Sequence, residues 1–273
     1  MDRLSPVFLH FAPTARVFNS GPLCKVTEFD ECEGVGHIHL LREGRLLVAD
    51  RHEGTMELSE PTVLFYPRPF YHRFIPLDEQ GANLLCASVD LGGRSANPLL
   101  GTLPEVLVIR LKEVSGLASA LDLMFSEAFK DLCGRQAALD RLMEYFLILL
   151  LRYVMEEDVI PAGPLSALGD PRLAKAITAI HNRPEFSWTL EELAAEAGMS
   201  RARFAVHFKE KVGMTPLDYL TDWRLSVART LLRQGRSVKS ISPKVGYRSP
   251  AAFTRVFTRK IGVSPTEWQP DLG

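Results

Sequence analysis

Short segments of apolar, or of alternating apolar and polar, residues follow one another through residues 1–110, with glycines and prolines between them. Alternation is typical of half-buried strands, and many short strands separated by turns are typical of a small barrel or jelly roll. The pattern predicts strands over Cys24–Phe29, His37–Leu41, Arg45–Ala49, Thr55–Leu58, Thr62–Tyr66, His72–Ile75 and Leu84–Val89. The first 110 residues are therefore expected to form an all-β barrel.

Helical spacing replaces this alternation in residues 111–158. Two stretches, 116–132 and 136–157, repeat apolar residues with a period near 3.6 and predict amphipathic helices. Their apolar faces are expected either to pack on the barrel or to form part of a dimer seam. The next residues, 159–169, include Ile160-Pro161-Ala162-Gly163-Pro164 and predict a linker to a last domain over 170–273.

The last domain contains one pattern twice, at a spacing of 49 residues. The repeated positions are Phe204 and Phe253, Phe208 and Phe257, and Gly213 and Gly262. A turn with a glycine precedes each copy, at Gly198 and Gly246. Because two helices joined by such a turn make a helix-turn-helix, the pattern predicts an all-α domain with two of these units in tandem. A helix over about 217–233 is expected to join them.

The second helix of each unit is predicted to bury its phenylalanines and to turn its other face outward. In the first unit the outward face carries Arg201, Ala202, Arg203, Ala205 and Val206. In the second unit, the helix begins at Ser249 and Pro250 and carries Ala251, Thr254, Arg255 and Arg259 outward. Small apolar side chains suit thymine methyl groups or DNA shape, whereas arginine suits guanine. Pro243 lies inside the preceding helix and is expected to kink it.

The longest signature lies in the second unit and reads Val245-Gly246-Tyr247-x-Ser249-x3-Phe253-x-Arg255-x-Phe257-x4-Gly262-x-Ser264-Pro265. By this run, residues from about 170 to 268 resemble the DNA-binding domain of AraC/XylS-type transcription regulators. The resemblance implies that outward residues of both second helices enter adjacent major-groove segments. Carried over, these residues are Ala202, Ala205, Val206, Pro250, Ala251, Thr254 and Arg255. Double-stranded promoter or operator DNA and RNA polymerase are the expected macromolecular partners, and the expected oligomer is a homodimer.

The distribution of charge agrees with a DNA-binding C-terminal domain. The whole chain has a net charge of −1, but residues 170–273 hold 17 lysines and arginines against 10 acidic residues. The first 169 residues hold 15 basic against 23 acidic residues. Phosphate contact is therefore expected from the C-terminal domain alone.

The N-terminal half resembles the cupin-type sensor domain that many such regulators carry. The resemblance rests on His39-x3-Glu43-Gly44 and on Pro67-x4-His72. It implies a candidate divalent-metal site at His37, His39, Glu43 and His72, with ligands that suit iron, manganese, nickel or zinc. His37 and His39 are two residues apart, so a strand would turn both inward. The usual glycines, and the asparagine after the last histidine, are absent, and the alternative is that these are pocket or structural histidines.

Four cysteines occur, and none lies in a CxxC pair. Cys24 and Cys86 fall on predicted strands and resemble in layout the cysteines of oxidant-responsive members of this cupin subgroup. Lys25 is adjacent to Cys24, and a basic setting favours an oxidisable thiolate. The alternative is that both are small buried hydrophobic residues. The remaining two are Cys32 and Cys133.

Several other classes of protein are disfavoured. The chain starts without a basic segment followed by an apolar one, and the run 146–151 is too short to span a membrane, so the cytoplasm is expected and no membrane partner. No GxSxG, P-loop or HExxH pattern occurs, so an enzyme is not expected. Two alternatives to a redox-controlled regulator stay open. One is a metal-dependent cupin enzyme fused to a DNA-binding domain. The other is a small-ligand sensor with a pocket lined by Phe8, Phe65, Tyr66, Phe70 and Tyr71.

Overall fold

The computed structural model describes residues 2–31, 34–51, 54–92, 97, 103–113, 115–157 and 159–268. Contacts divide the chain into two compact units. A β-rich unit consists of Pro13–Arg94 and Leu103–Tyr153. A helical unit consists of Met1–Ala12, Ser95–Thr102 and Val154–Gly273.

The β-rich unit contains two antiparallel sheets. Its strands are β1 (Thr14–Leu23), β2 (Thr27–Phe29), β3 (Gly36–Glu43), β4 (Leu46–Asp50), β5 (Thr55–Leu58), β6 (Thr62–Tyr66), β7 (His72–Pro76), β8 (Ala82–Asp90) and β9 (Leu107–Arg110). One sheet has the order β1-β8-β3-β6-β9 and the other the order β2-β7-β4-β5. Phe74, Leu84 and Leu46 are fully buried in the core that the strands enclose. The predicted all-β, cupin-like first part is confirmed.

Two strands were not predicted, β1 and β9. The sequence of β1 contains Asn19-Ser20-Gly21-Pro22, which are turn-forming residues. The strand forms because it pairs along its length with β8, from Thr14 opposite Asp90 to Leu23 opposite Ala82. Long-range pairing here overrides local preference.

Two helices complete the β-rich unit, α2 (Ser115–Ala128) and α3 (Arg135–Glu156), the last of which extends into the helical unit. Their apolar faces are buried, as at Met124 and Phe146. On α3, Asp140 accepts a hydrogen bond from the backbone N–H of Val17 (2.9 Å), and Gln136 donates one to the Val17 carbonyl (2.7 Å). These faces therefore pack within the unit, which was one of the two alternatives.

The helical unit is built from α1 (Ser5–Phe11), α4 (Pro164–Gly169), α5 (Leu173–Asn182), α6 (Leu190–Glu196), α7 (Arg201–Val212), α8 (Pro216–Arg233), α9 (Val238–Lys244) and α10 (Pro250–Ile261). The predicted linker over 159–169 is wrong in its second half, because α4 is a packed helix. Leu165 and Leu168 are buried, and the backbone N–H of Gly163 donates to the Lys211 carbonyl (2.6 Å). None of the helices in the described ranges is long and apolar enough to cross a membrane.

The first helix belongs with the C-terminal helices rather than with the barrel, contrary to a domain over 1–110. Phe11 packs edge-on against Trp223 of α8, with ring centroids 5.4 Å apart. The Arg3 guanidinium donates to the carbonyl of Leu168 (2.8 Å). Phe8 also lies on α1 and so belongs to the helical unit, whereas the other four residues of the proposed apolar pocket belong to the β-rich unit.

We expect the packing of α1 to stabilise the helical unit measurably. Phe11 is 6% exposed, so Phe11→Ala should lower the free energy of unfolding by about 3 kcal/mol. Leu9, on the same helix, is 81% exposed, and Leu9→Ala is the matched control with little expected change. All three tryptophans lie within residues 188–268, so urea unfolding followed by tryptophan fluorescence reports on this unit. Equal midpoints for the two variants would show that α1 is not part of it.

Candidate nucleic-acid interface and barrel site

The two second helices, α7 and α10, are anchored in the same way. Phe204 and Phe208 on α7 are fully buried, with ring centroids 5.5 Å apart and ring planes at 60°. Phe253 and Phe257 on α10 are fully buried, with centroids 5.5 Å apart and planes at 61°. Residues four apart lie on one face of a helix, so each pair fixes which side of its helix turns outward.

The ends of these helices are fixed by local signals. Thr189 and Glu192 form a capping box at the start of α6. The Ser249 hydroxyl accepts a hydrogen bond from the backbone N–H of Ala252 and so caps α10 (3.2 Å). Gly213 and Gly262 end α7 and α10 with φ values of 88° and 92°, in the left-handed region that favours glycine. The two helices are therefore structural copies as well as sequence copies.

The outward face of α7 is small and partly apolar. Ala202 and Arg203 are exposed, Ala205 is half-buried and Val206 is 58% exposed. The Arg201 guanidinium forms an ion pair with Glu191 of α6 (2.9 Å), so part of its charge is already balanced. No long polar side chain occupies the centre of this described face.

A shallow concavity of about 430 Å³ lies beside this face. Ala202, Arg203 and Val206 line it together with four residues that the sequence did not indicate, which are Arg172, Met199, His207 and Glu210. The imidazole of His207 contacts Asp170 (2.7 Å), which also accepts from the backbone N–H of Leu173 at the start of α5. A helical period continued from Arg203 to His207 and Glu210 is the signal that could have identified two of the four.

The outward face of α10 carries longer donors. Ala251, Arg255 and Arg259 are exposed, and Thr254 is half-buried. Ser249 and Pro250 are exposed as well, although Ser249 also serves as the cap. The preceding helix, α9, ends at Lys244, so Pro243 lies in its last turn.

In the barrel, three of the four candidate metal ligands come together. His37, His39 and His72 are fully buried, and each offers a nitrogen within 4.8 Å of the other two. The Nδ1 of His72 lies 2.8 Å from the Phe70 carbonyl and therefore donates to it. This leaves the Nε2 lone pair of His72 facing the Nε2 of His39, 2.8 Å away. Phe29, Tyr66 and Phe74 pack around the three rings.

Burial favours the neutral form of two of these histidines, His39 and His72. Burial lowers the pKa of His39 well below its usual value, and the neighbouring imidazoles lower it further. Burial also lowers the pKa of His72 to about 4. Neutral imidazole is the form that binds a metal ion. Among the described residues, His39 Nδ1 has no hydrogen-bond partner.

Glu43, the fourth candidate ligand, does not join the cluster. The register between β3 and β8 shifts between Leu41 and Glu43, which breaks the alternation that would have turned Glu43 inward. Its carboxylate is exposed and accepts a hydrogen bond from the Asn83 amide. The prediction that Glu43 lies with the histidines is therefore wrong.

The two candidate redox cysteines lie apart. Cys86 is buried on β8 directly opposite His39 on β3, and burial raises the pKa of its thiol to about 12. Cys24 is exposed just beyond Leu23, which pairs with Ala82. Cys24 continues the antiparallel strand away from Cys86, so it lies at the level of Gly81, five residues from Cys86. This puts the two Cα atoms roughly 17 Å apart, beyond the roughly 7 Å limit for a disulfide. Of the other cysteines, Cys133 is exposed and Cys32 lies outside the described residues.

Comparison with known proteins identifies both halves. A cupin family model matches residues 2–156, more than half of the chain, and a helix-turn-helix domain model matches residues 193–270. An uncharacterized HTH-type transcriptional regulator of Haemophilus influenzae is 37% identical over 175 residues, which cover 64% of this chain and 58% of that protein. The RCS-specific HTH-type transcriptional activator RclR of Escherichia coli is 28% identical over 284 residues, covering 98% of this chain and 97% of that protein.

Among solved structures, the DNA-binding domain of AdpA in complex with a target DNA is 35% identical and covers 36% of this chain and 87% of that chain, with a TM-score of 0.33. The chain spans less than two thirds of the Haemophilus influenzae relative and nearly all of RclR. The cupin model covers more than half of the chain, so the chain belongs to the cupin family; an AraC-type helix-turn-helix domain follows in its C-terminal part, and the relatives that it matches are named transcriptional regulators.

Proposed function

We propose that this regulator reads two adjacent major-groove segments on one face of the DNA, one with α7 and one with α10. The observation that carries the proposal is the matched anchoring of the two helices by buried phenylalanine pairs, with nearly equal ring separations and angles. Equal anchoring turns corresponding faces of both helices outward. In tandem readers of this kind, the two recognition helices lie about one helical turn of DNA apart, so that both enter the major groove on one face.

The two helices differ in the chemistry that they offer to DNA. The face of α7 centres on Ala202 and Val206, which suit thymine methyl groups and groove shape. The face of α10 presents Arg255, whose fork of donors matches the O6 and N7 atoms of guanine. Arg201, Arg203 and Arg259 lie nearer the edges, and we assign them to phosphates, which add affinity without sequence information.

We propose the following assembly around this reader. The sensor is the barrel, residues 170–273 are the reader, and residues 111–158 supply a homodimer contact. Leu123, Phe129, Leu132 and Tyr145 support that contact, because these large side chains stay exposed beside the packed faces of α2 and α3. RNA polymerase is the expected second macromolecular partner, and the cytoplasm the expected compartment. We propose no catalytic activity, in keeping with the names of the relatives.

We expect Arg255→Ala to weaken binding to the specific site by about 1–3 kcal/mol and to flatten the preference at one base pair. The measurement is fluorescence anisotropy with duplexes selected from a random library by the wild-type protein. Arg141→Ala is the control, because it removes an equal charge from an exposed position on α3. An equal loss of affinity on selected and random duplexes would make Arg255 a phosphate contact instead.

We propose that the signal acts inside the barrel, where His37, His39 and His72 meet. The residues present fit a divalent transition metal held by three imidazole nitrogens. His39 Nε2 and His72 Nε2 lie 2.8 Å apart and share a hydrogen bond that a metal ion would replace. The His72 Nδ1–H is fixed by the Phe70 carbonyl, an arrangement that orients metal-binding histidines. A bound metal would supply a positive charge, or a redox change, in an apolar core.

An oxidant is the second candidate signal, because Cys86 lies opposite His39 in the same core. The relative from Escherichia coli is named an RCS-specific activator. Since the Cα atoms of Cys24 and Cys86 are too far apart for a direct disulfide, oxidation would give a sulfenic acid or a mixed disulfide. A more polar group at Cys86 has no room in packed surroundings, so the strands around it must shift.

One experiment separates these two signals. Zn²⁺, Ni²⁺, Mn²⁺ or Fe²⁺ is added to metal-free protein and thermal unfolding is measured; separately, hydrogen peroxide is added and DNA binding is measured. A metal ion at 100 times its dissociation constant should stabilise the wild-type protein by about 2.7 kcal/mol. The control variant His10→Ala should gain the same stabilisation, and His39→Ala should gain none. The double variant Cys24→Ser, Cys86→Ser should lose any response to peroxide. If no metal stabilises the wild type and the double variant still responds to peroxide, both candidates are wrong and a small ligand becomes the leading explanation.

A further inference from the structure

We propose that Arg224 is the positioning residue that holds the two reading helices, α7 and α10, in one fixed relative placement. Arg224 lies on α8, between the two helix-turn-helix units, and its guanidinium contacts both of them. The inference rests on the proposed reading of two groove segments for its consequence, but its structural part is tested without DNA.

On the side of the first unit, Arg224 binds the connection between α5 and α6. Its Nε donates to the carbonyl of Pro184 and its Nη2 to the carbonyl of Phe186, each at 2.7 Å. Within this connection, the Trp188 indole N–H donates to the Arg183 carbonyl (3.0 Å). The connection leads directly into the capped start of α6, and α6 is followed by the reading helix α7.

On the side of the second unit, the same guanidinium lies against the turn between α9 and α10. Its central carbon is 5.7 Å from the ring centroid of Tyr247, which in turn packs on Phe253 of α10, with centroids 5.6 Å apart. Gly246, with a φ of +78°, adjoins the Arg224 guanidinium, and a Cβ at position 246 would overlap that group. The glycine therefore makes the turn and also leaves room for Arg224.

Arginine is suited to this position and lysine is not. A guanidinium is planar, so it can donate along its edge to two carbonyls while its face lies on an aromatic ring. Lysine offers one ammonium group and no planar face. The ion pair between Asp222 of α8 and Lys260 of α10 (2.9 Å) ties α8 to the second unit alone. Arg224 contacts both units at once.

The test measures the distance between the reading helices. Spin labels are placed at Lys209→Cys on α7 and Thr258→Cys on α10, both exposed, in a background with the four native cysteines replaced. Double electron–electron resonance then gives the distribution of distances in the free protein. Arg224→Met should broaden or shift this distribution and should lower affinity for a selected duplex by at least about tenfold, while binding to random duplex is little changed.

Two matched controls accompany these measurements. Arg233→Met removes an equal charge from α8 and the contact with Trp268, 5.5 Å away, which lies on the side of the second unit, so the distribution should stay narrow. Gly246→Ala should broaden the distribution and Gly198→Ala should not, because both glycines have positive φ but only Gly246 adjoins Arg224. If Arg224→Met does not fold, Arg224→Lys replaces it, with the same expected broadening. A wild-type distribution in the folded Arg224 variant would overturn the proposal, whether or not DNA binding is affected.

Discussion

The structure of the reader depends on the burial of two phenylalanines, four residues apart, on each reading helix. Burying a phenylalanine stabilises a fold by about 1.5–3 kcal/mol, and the cost of exposing it prevents the helix from rotating. Phe204 with Phe208, and Phe253 with Phe257, therefore decide which side chains reach solvent. The chemistry of the outward faces can vary without disturbing the fold, which is what a family of readers with different targets requires.

The elements around α7 and α10 determine how these two helices are placed relative to each other. The helix α8 buries Leu220, Trp223 and Leu225 and lies between the two helix-turn-helix units. The first helix, α1, covers Trp223 from outside, so a segment at the start of the chain contributes to the stability of a domain at its end. In the barrel, packing likewise positions the three histidines. Strand alternation and the surrounding aromatic rings bring His37, His39 and His72 together in the core.

The parts of the structure that could be predicted from the sequence were those set by neighbouring residues. The C-terminal bound of α7 follows from Gly213, and the pattern Thr189-x2-Glu192 at the start of α6 is a local capping motif. The parts that could not be predicted depend on distant partners. The β1 strand looks like a turn until it pairs with β8, and Glu43 turns away from the histidines because of a bulge that only strand pairing reveals. For the same reason, no local pattern shows that Arg224 spans two units.

The most direct test of a two-segment reader is binding to duplexes in which its two segments are moved apart. Footprinting on a duplex selected by the wild-type protein should first show two protected patches per chain, about 10 base pairs apart. Insertion of about 5 base pairs between them turns one segment to the opposite face of the DNA. The account predicts that affinity then falls to the level of random duplex. Affinity within about threefold of the original site, a change below 1 kcal/mol, would contradict it.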